Sequence, residues 1–132
     1  MAATLLPVQP AKISAATNFQ GASPNTPDTT NGNVFVNTGR EIVLIQTLAS
    51  SGITPTVTPL AKALGALPVP SPSYAIGATN LVALGPFDTG TYNGNTSGSV
   101  VAASNQVAIS WAGSSGTVNV WIIQVPAPQS PN

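Results

Sequence analysis

The sequence predicts an all-β fold: an antiparallel β-sandwich or jelly-roll-like barrel with an extended N-terminal arm. Three observations predict it. The second half is a series of short apolar runs, "SGSVVAAS", "QVAISWA" and "TVNVWIIQV", divided by polar turn residues, as in sandwiches and barrels. "EIVLIQTL", which starts at Glu41, is apolar on both parities, the pattern of a strand covered on both faces. Only one short stretch carries a helical period. A chain of 132 residues fits a single domain, and a domain of that size buries roughly two-thirds of its unfolded surface.

The elements follow in order. Residues 1–32 read as an arm and a loop. "LLPVQPAKI" is an extended edge segment, because its prolines forbid a central strand. "GASPNTPDTTNGN" is loop chemistry, with Pro24, Pro27 and the Asn31-Gly32 pair marking turns. Residues 33–125 read as the sandwich domain. "NVFVN" is a short strand, and Asn37-Thr38-Gly39 is a turn before the long one. In that strand Ile42, Leu44 and Gln46 share one face, and Val43, Ile45 and Thr47 the other. "GITPTVT" alternates, but Pro55 demotes it to an edge strand or a bulge. "PLAKALGALPVPSP" places Leu60, Leu64 and Leu67 at helical spacing. Gly65 interrupts that pattern and Pro68 ends it, so one or two helical turns are the most it predicts.

"YAIGATNLVALGPF" has strand composition on either side of Gly77. "GSSG" at 113–116 reads as a hairpin loop between the last two strands. In the final strand Val118, Val120 and Ile122 face one side, and Asn119, Trp121 and Ile123 the other. Residues 126–132, "PAPQSPN", form a Pro-rich tail, loose or draped on a neighbour. The core expected from these patterns contains Val43, Leu44, Leu81, Phe87, Ile109, Val120 and Ile122.

Composition narrows the function. Three Lys+Arg and three Asp+Glu give a net charge of zero, and charged residues are 5% of the chain, against about 25% in ordinary domains. There is no basic footprint for nucleic acid. The apolar stretches fall far short of the roughly 20 residues that span a bilayer. The start, "MAATLLPVQPAK", lacks a basic n-region and is not read as a signal peptide. Neither nucleic acid nor a membrane is therefore an expected partner. Soluble monomers usually carry surface charge that keeps them apart. A neutral chain rich in Ser, Thr, Asn and Gln suits a protein that works packed into an assembly.

The usual catalytic groups are missing. Without His there is no base for a Ser-His-Asp nucleophile. Without His and Cys there is no metal site built on those ligands. Asp28, among Thr and Asn, is read as a solvated loop residue rather than a calcium ligand. Glu41 and Asp88 are the one carboxylate pair weighed for glycoside hydrolysis, and it is set aside because any three acids offer such a pair. No phosphate-binding Gly loop occurs. The expectation is a protein that is not an enzyme, with no catalytic residue, no cofactor and no metal. Asn95-Thr96-Ser97 fits the glycosylation sequon. Arg40 and Glu41 point to opposite faces, and each is expected to pair across strands or a subunit boundary. Trp111 and Trp121 are read as core anchors. As surface rings they would stack on sugars, which keeps a carbohydrate-binding module as a rival.

One stretch is unusual for so uncharged a chain: "LVALGPFDTGTYN" sets Asp88 between Phe87 and Tyr92. The longer run "IGATNLVALGPFDTGTYNGNTSGSVVAAS", with "VAISWA" and "VNVWIIQV", resembles the head decoration (capsid-stabilising, or cement) proteins of tailed bacteriophages. "FVNTGREIVLIQTLASSGITPTVT" resembles them too, so the likeness covers about residues 33 to 125. The long Pro-rich N-terminus and the "PLAKALGALPVPSP" insertion depart from that pattern.

The resemblance implies a structural virion protein on the outer surface of a capsid, bridging neighbouring capsid subunits. Its implied partners are the major capsid protein and itself, as a homotrimer about a capsid three-fold axis. Rival readings of another class are a carbohydrate-binding or host-adhesion module and a tail or fibre component.

Two sets of residues are singled out. Gly85 and Pro86 end a strand, Phe87 and Tyr92 tuck under the corner, and Asp88 and Asn93 bond backbone amides in the turn. The arm residues Leu5, Leu6, Val8 and Ile13 are candidates for contact with the capsid or a sister chain. The competing reading makes the arm a terminal strand of its own sheet.

Overall fold

The computed structural model describes residues 3–10, 25–48, 51–60, 63–64, 67–68, 73–115 and 117–126. Two sheets face each other across one core. The first contains β1 (Thr4–Leu5), β3 (Asn33–Val36), β5 (Gly52–Thr56) and β11 (Gln106–Ser115), in the order β1-β3-β11-β5. The second contains β2 (Val8–Pro10), β4 (Glu41–Thr47), β8 (Leu81–Leu84) and β12 (Val118–Gln124), in the order β2-β12-β4-β8. The fold is all-β and sandwich-like. The barrel alternative is corrected: among the described residues each sheet keeps two edges and none closes.

Strand parity decides what is inside. Along β4, Glu41, Val43, Ile45 and Thr47 are buried, and the residues between them are half-buried. β12 runs antiparallel to it, with Val120 opposite Ile45 and Ile122 opposite Val43. From the facing sheet come Phe35, Ile53, Val107, Ile109 and Trp111, and Leu6, Val57, Ile76 and Phe87 also join this core. Each large apolar side chain buried there contributes about 1.5–3 kcal/mol relative to exposure. Five of the seven expected core residues lie within it: Val43, Phe87, Ile109, Val120 and Ile122. Two do not. Leu44 lies on the opposite parity of β4 and is half-buried. Leu81 pairs with Gln46 on that same outer parity and is 62% exposed.

The described part of the arm, residues 3–10, is a pair of edge strands, in keeping with the extended edge segment read from "LLPVQPAKI" and with the terminal-strand reading. β1 pairs parallel with β3, and β2 pairs parallel with β12. The chain crosses from one sheet to the other between them, and Leu6, in the crossing, is 2% exposed. The sandwich is therefore mixed, not purely antiparallel. Pro7 lies in the crossing, where no ladder needs its missing N–H.

Three local expectations change as well. Residues 113–116 are not a hairpin loop, because β11 and β12 belong to different sheets. Residues 113–115 instead lie within β11, with Gly113 at φ +68° and a register shift between Ala112 and Ser115, and Gly116 lies outside the described residues. The stretch read as helical instead holds β6 (Ala63–Leu64) paired antiparallel with β7 (Leu67–Pro68). A helix so short, broken by glycine and proline, has too few bonds to offset its nucleation. The helical turn that does form is α1 (Thr89–Tyr92), in the Gly-Pro-Phe-Asp corner.

Finally, "SGSVVAAS" splits. β9 (Thr96–Ser97) and β10 (Val100–Val101) form a small hairpin. Val100 and Ala102 pack on Val34 and Ala108, on the outer side of the first sheet. Gly32, at φ +73°, passes so close beneath Val100 that a Cβ there has no room.

Candidate functional site

The corner at 85–95 closes one end of the sandwich. Gly85 has φ +113°, and a Cβ on it would stand 3.0 Å from the Glu41 carbonyl oxygen, so the position requires glycine. The Gly85–Pro86 bond is cis. Phe87 then turns inward, 1% exposed. Its ring lies 5.8 Å from Phe35 and 5.4 Å, edge-on, from Tyr92. Such pairs add about 0.5–1.5 kcal/mol each beyond burial. Desolvation pushes the Tyr92 phenol above its ordinary range.

Asp88 and Asn93 do shape this corner, by different bonds from those expected. The Asp88 carboxylate accepts from the Thr91 hydroxyl at 2.8 Å. The backbone amides of Thr91 and Tyr92 donate to the Asp88 carbonyl, not its side chain. Asn93 reaches across to the end of β3. Asn37 Nδ2 donates to Asn93 Oδ1 at 2.7 Å, and Asn93 Nδ2 donates to the Asn37 carbonyl at 3.1 Å. Asn37 Nδ2 also donates to the Phe87 carbonyl. The corner is thus sewn to the turn between β3 and β4 by amide pairing.

Next to it, Glu41 is fully buried at the start of β4. Its carboxylate accepts from the Thr38 amide, the Thr38 hydroxyl, the Arg40 amide and Gln124 Nε2. Desolvation alone would push the acid up. The donated bonds outweigh it, and the group sits below the ordinary carboxylate value. Arg40 faces away and donates through Nη1 to the Val125 carbonyl at 3.1 Å. The two do not pair with each other: Arg40 bonds the Val125 carbonyl, and Glu41 bonds its own turn and, across to β12, Gln124. With no exposed surface, Glu41 offers no acid or base to a dissolved substrate, and Asp88 is exposed without it.

The arm is anchored by a second polar cluster. Asp28 caps its own turn: its carboxylate accepts from the Asn31 and Thr30 amides, and from the Thr4 hydroxyl of β1 at 2.9 Å. The Asn31 amide and the Thr4 hydroxyl, aided by Thr30, hold this carboxyl below its ordinary value. Asn33, fully buried, accepts from the Asp28 amide and from Trp111 Nε1, and donates to the Thr4 carbonyl. The third hub, Asn95, is equally buried. It donates to the carbonyls of Thr58 and Ala108 and accepts from the Ala108 amide. That geometry closes the Asn95 sequon to glycosylation in the folded chain.

These hubs were not singled out in the sequence. The one signal is that asparagines flank the apolar "VFV" of β3, where a plain strand would carry none. Of the arm candidates, Leu6 is inside the core, Val8 is half-buried in β2, and Leu5 is 54% exposed. Ile13 lies outside the described residues. Leu5 lines a shallow depression of about 510 Å³ with Ala3, Val34, Val100 and Val101. A smaller, almost wholly apolar one of about 350 Å³ lies between Arg40, Ile42, Pro86 and Val125. Trp111 and Trp121 are 7% and 3% exposed, so neither ring is free to stack on a sugar. Among the described residues no three His, Cys, Asp or Glu side chains cluster as a metal site, and no helix is long and apolar enough to cross a membrane.

Comparison of the chain with protein-family models, with curated proteins and with solved structures finds no match.

Proposed function

We propose that this protein is a structural virion component that binds the outer surface of a bacteriophage capsid and stabilises it by bridging neighbouring capsid subunits. The observation that carries the reading is the pairing of a nearly uncharged composition with exposed apolar side chains held on the sandwich. Leu5, Tyr74, Leu81 and Val101 are each more than half exposed, while Glu41 and Asp28 are consumed by internal bonds. Such a surface avoids the cost of desolvating charges, which suits a clamp. The proposed partners are the major capsid protein and further copies of this chain, and the proposed location is the capsid exterior.

The test is to incubate the purified protein with undecorated heads of the phage that encodes it. Co-sedimentation, and heads that survive higher temperature or lower salt, are expected. Heads that neither bind the protein nor gain stability overturn the reading, and binding confined to tails would assign it to the tail instead.

A further inference from the structure

We propose that β8 is a docking edge for the same strand of a second copy, in an antiparallel two-fold pairing centred on Val82. The inference stands apart from the capsid reading. A sheet edge presents unpaired N–H and C=O groups, and proteins that stay monomeric blunt or cover it. Three of the four edges here are managed. β1 has only two residues, and β2 follows Pro7 and ends on Pro10. β5 is overlaid by bridges from Ile76 and Ser73. β8 has no proline, no charge and, among the described residues, no covering segment.

The register shows which groups are open. The Thr47 amide donates to the Asn80 carbonyl, and the Asn80 amide donates to the Thr47 hydroxyl. Antiparallel ladders alternate, so Val82 and Leu84 also bond β4. Leu81 and Ala83 therefore aim their amides and carbonyls outward. Their side chains are exposed as well. A two-fold axis beside Val82 sets Leu81 against Ala83 of the partner subunit, and Ala83 against Leu81 of the partner subunit. Each such pair exchanges two backbone bonds, and each places a large side chain against a small one. With no charged side chain on the strand, nothing repels the copy. The result is one continuous eight-stranded sheet with an isologous interface.

Sedimentation velocity of the full chain over a concentration series tests this, with Ala83→Pro and Leu81→Lys as variants. Proline at 83 removes an outward N–H and takes nothing from β4, and lysine at 81 charges an exposed position. Thermal melts control for folding. The expected result is a concentration-dependent dimer that falls to the monomer value in both variants, with melts unchanged. Hydrogen exchange at the Leu81 and Ala83 amides should slow as concentration rises, which decides the matter even if the proline variant fails to fold. A wild-type monomer at every concentration overturns the proposal. So does a dimer or a trimer that neither variant weakens, or protection of these amides that appears only with capsids present.

Discussion

Glu41 concentrates the residue-scale physics of this protein. A carboxylate with no exposed surface is tolerated because four donors converge on it from Thr38, Arg40 and Gln124. Glu41→Gln turns an acceptor-only group into one whose NH₂ faces donors. The expected loss is about 1–3 kcal/mol, read from denaturant melts. The pH dependence follows from the same bonds. The folded-state pKa lies below the ordinary 4.5. Stability from this group is therefore complete above that value and is lost as pH falls through the folded pKa. Asp28, also lowered, acts in the same direction, from 3.8 downward. Melting temperature should hold steady from neutral pH to about 5 and then drop, with a shallower drop in Glu41→Gln. A profile identical in the two proteins would mean the buried carboxylate is not linked to unfolding. None of this was legible beforehand: Gln124 is 83 positions from Glu41 in sequence, and local pattern says nothing about partners that far apart. The same holds for Asn33, whose partner Trp111 lies 78 positions away.

At the scale of elements, what the sequence revealed was periodicity, and what it hid was side. Both parities of β4 and β12 are apolar enough to face a core, so the pattern identified strands without choosing Val43 over Leu44. Leu81, in the equally apolar "LVAL" of β8, is ambiguous for the same reason. "GSSG" reads as a hairpin loop because Gly and Ser between two strands look the same whether or not the strands pair. The parallel pairings of β1 and β2 were hidden because parallel partners lie far apart in the chain. Their energetics separate cleanly by residue. Leu6→Ala empties a site that is 2% exposed and should cost about 2–5 kcal/mol. Leu5→Ala, at a position 54% exposed, should stay within about 0.5 kcal/mol. Deleting residues 2–14 removes both edge strands and the Leu6 plug, so the truncated chain should melt far below the parent or not fold. A truncation that melts like the parent would show that the arm adds nothing to the sandwich, leaving it free to serve as a tether.

The whole molecule carries three cationic and three anionic residues, of which Glu41 is sealed inside and Asp28 is bound within its own turn. Attraction between exposed charges is screened beyond about 8–10 Å at ordinary ionic strength, and this surface has almost none to screen. An interface built on phosphate contacts loses about three to five powers of ten in affinity when salt rises fourfold. An interface made by Leu5, Leu81, Val101 and neighbouring Ser, Thr and Asn side chains has no such dependence. Binding to capsids should therefore change little between about 0.05 and 0.5 M sodium chloride. Sulfate, which is excluded from protein surface and strengthens apolar burial, should tighten it. Measured side by side, the two salts separate the mechanisms. A steep loss in chloride would mean that the few exposed charges, Arg40 and Asp88 among them, carry the contact. In that case the neutral composition would be unconnected to attachment, and the surface logic behind the capsid reading would fail even if the protein does bind heads.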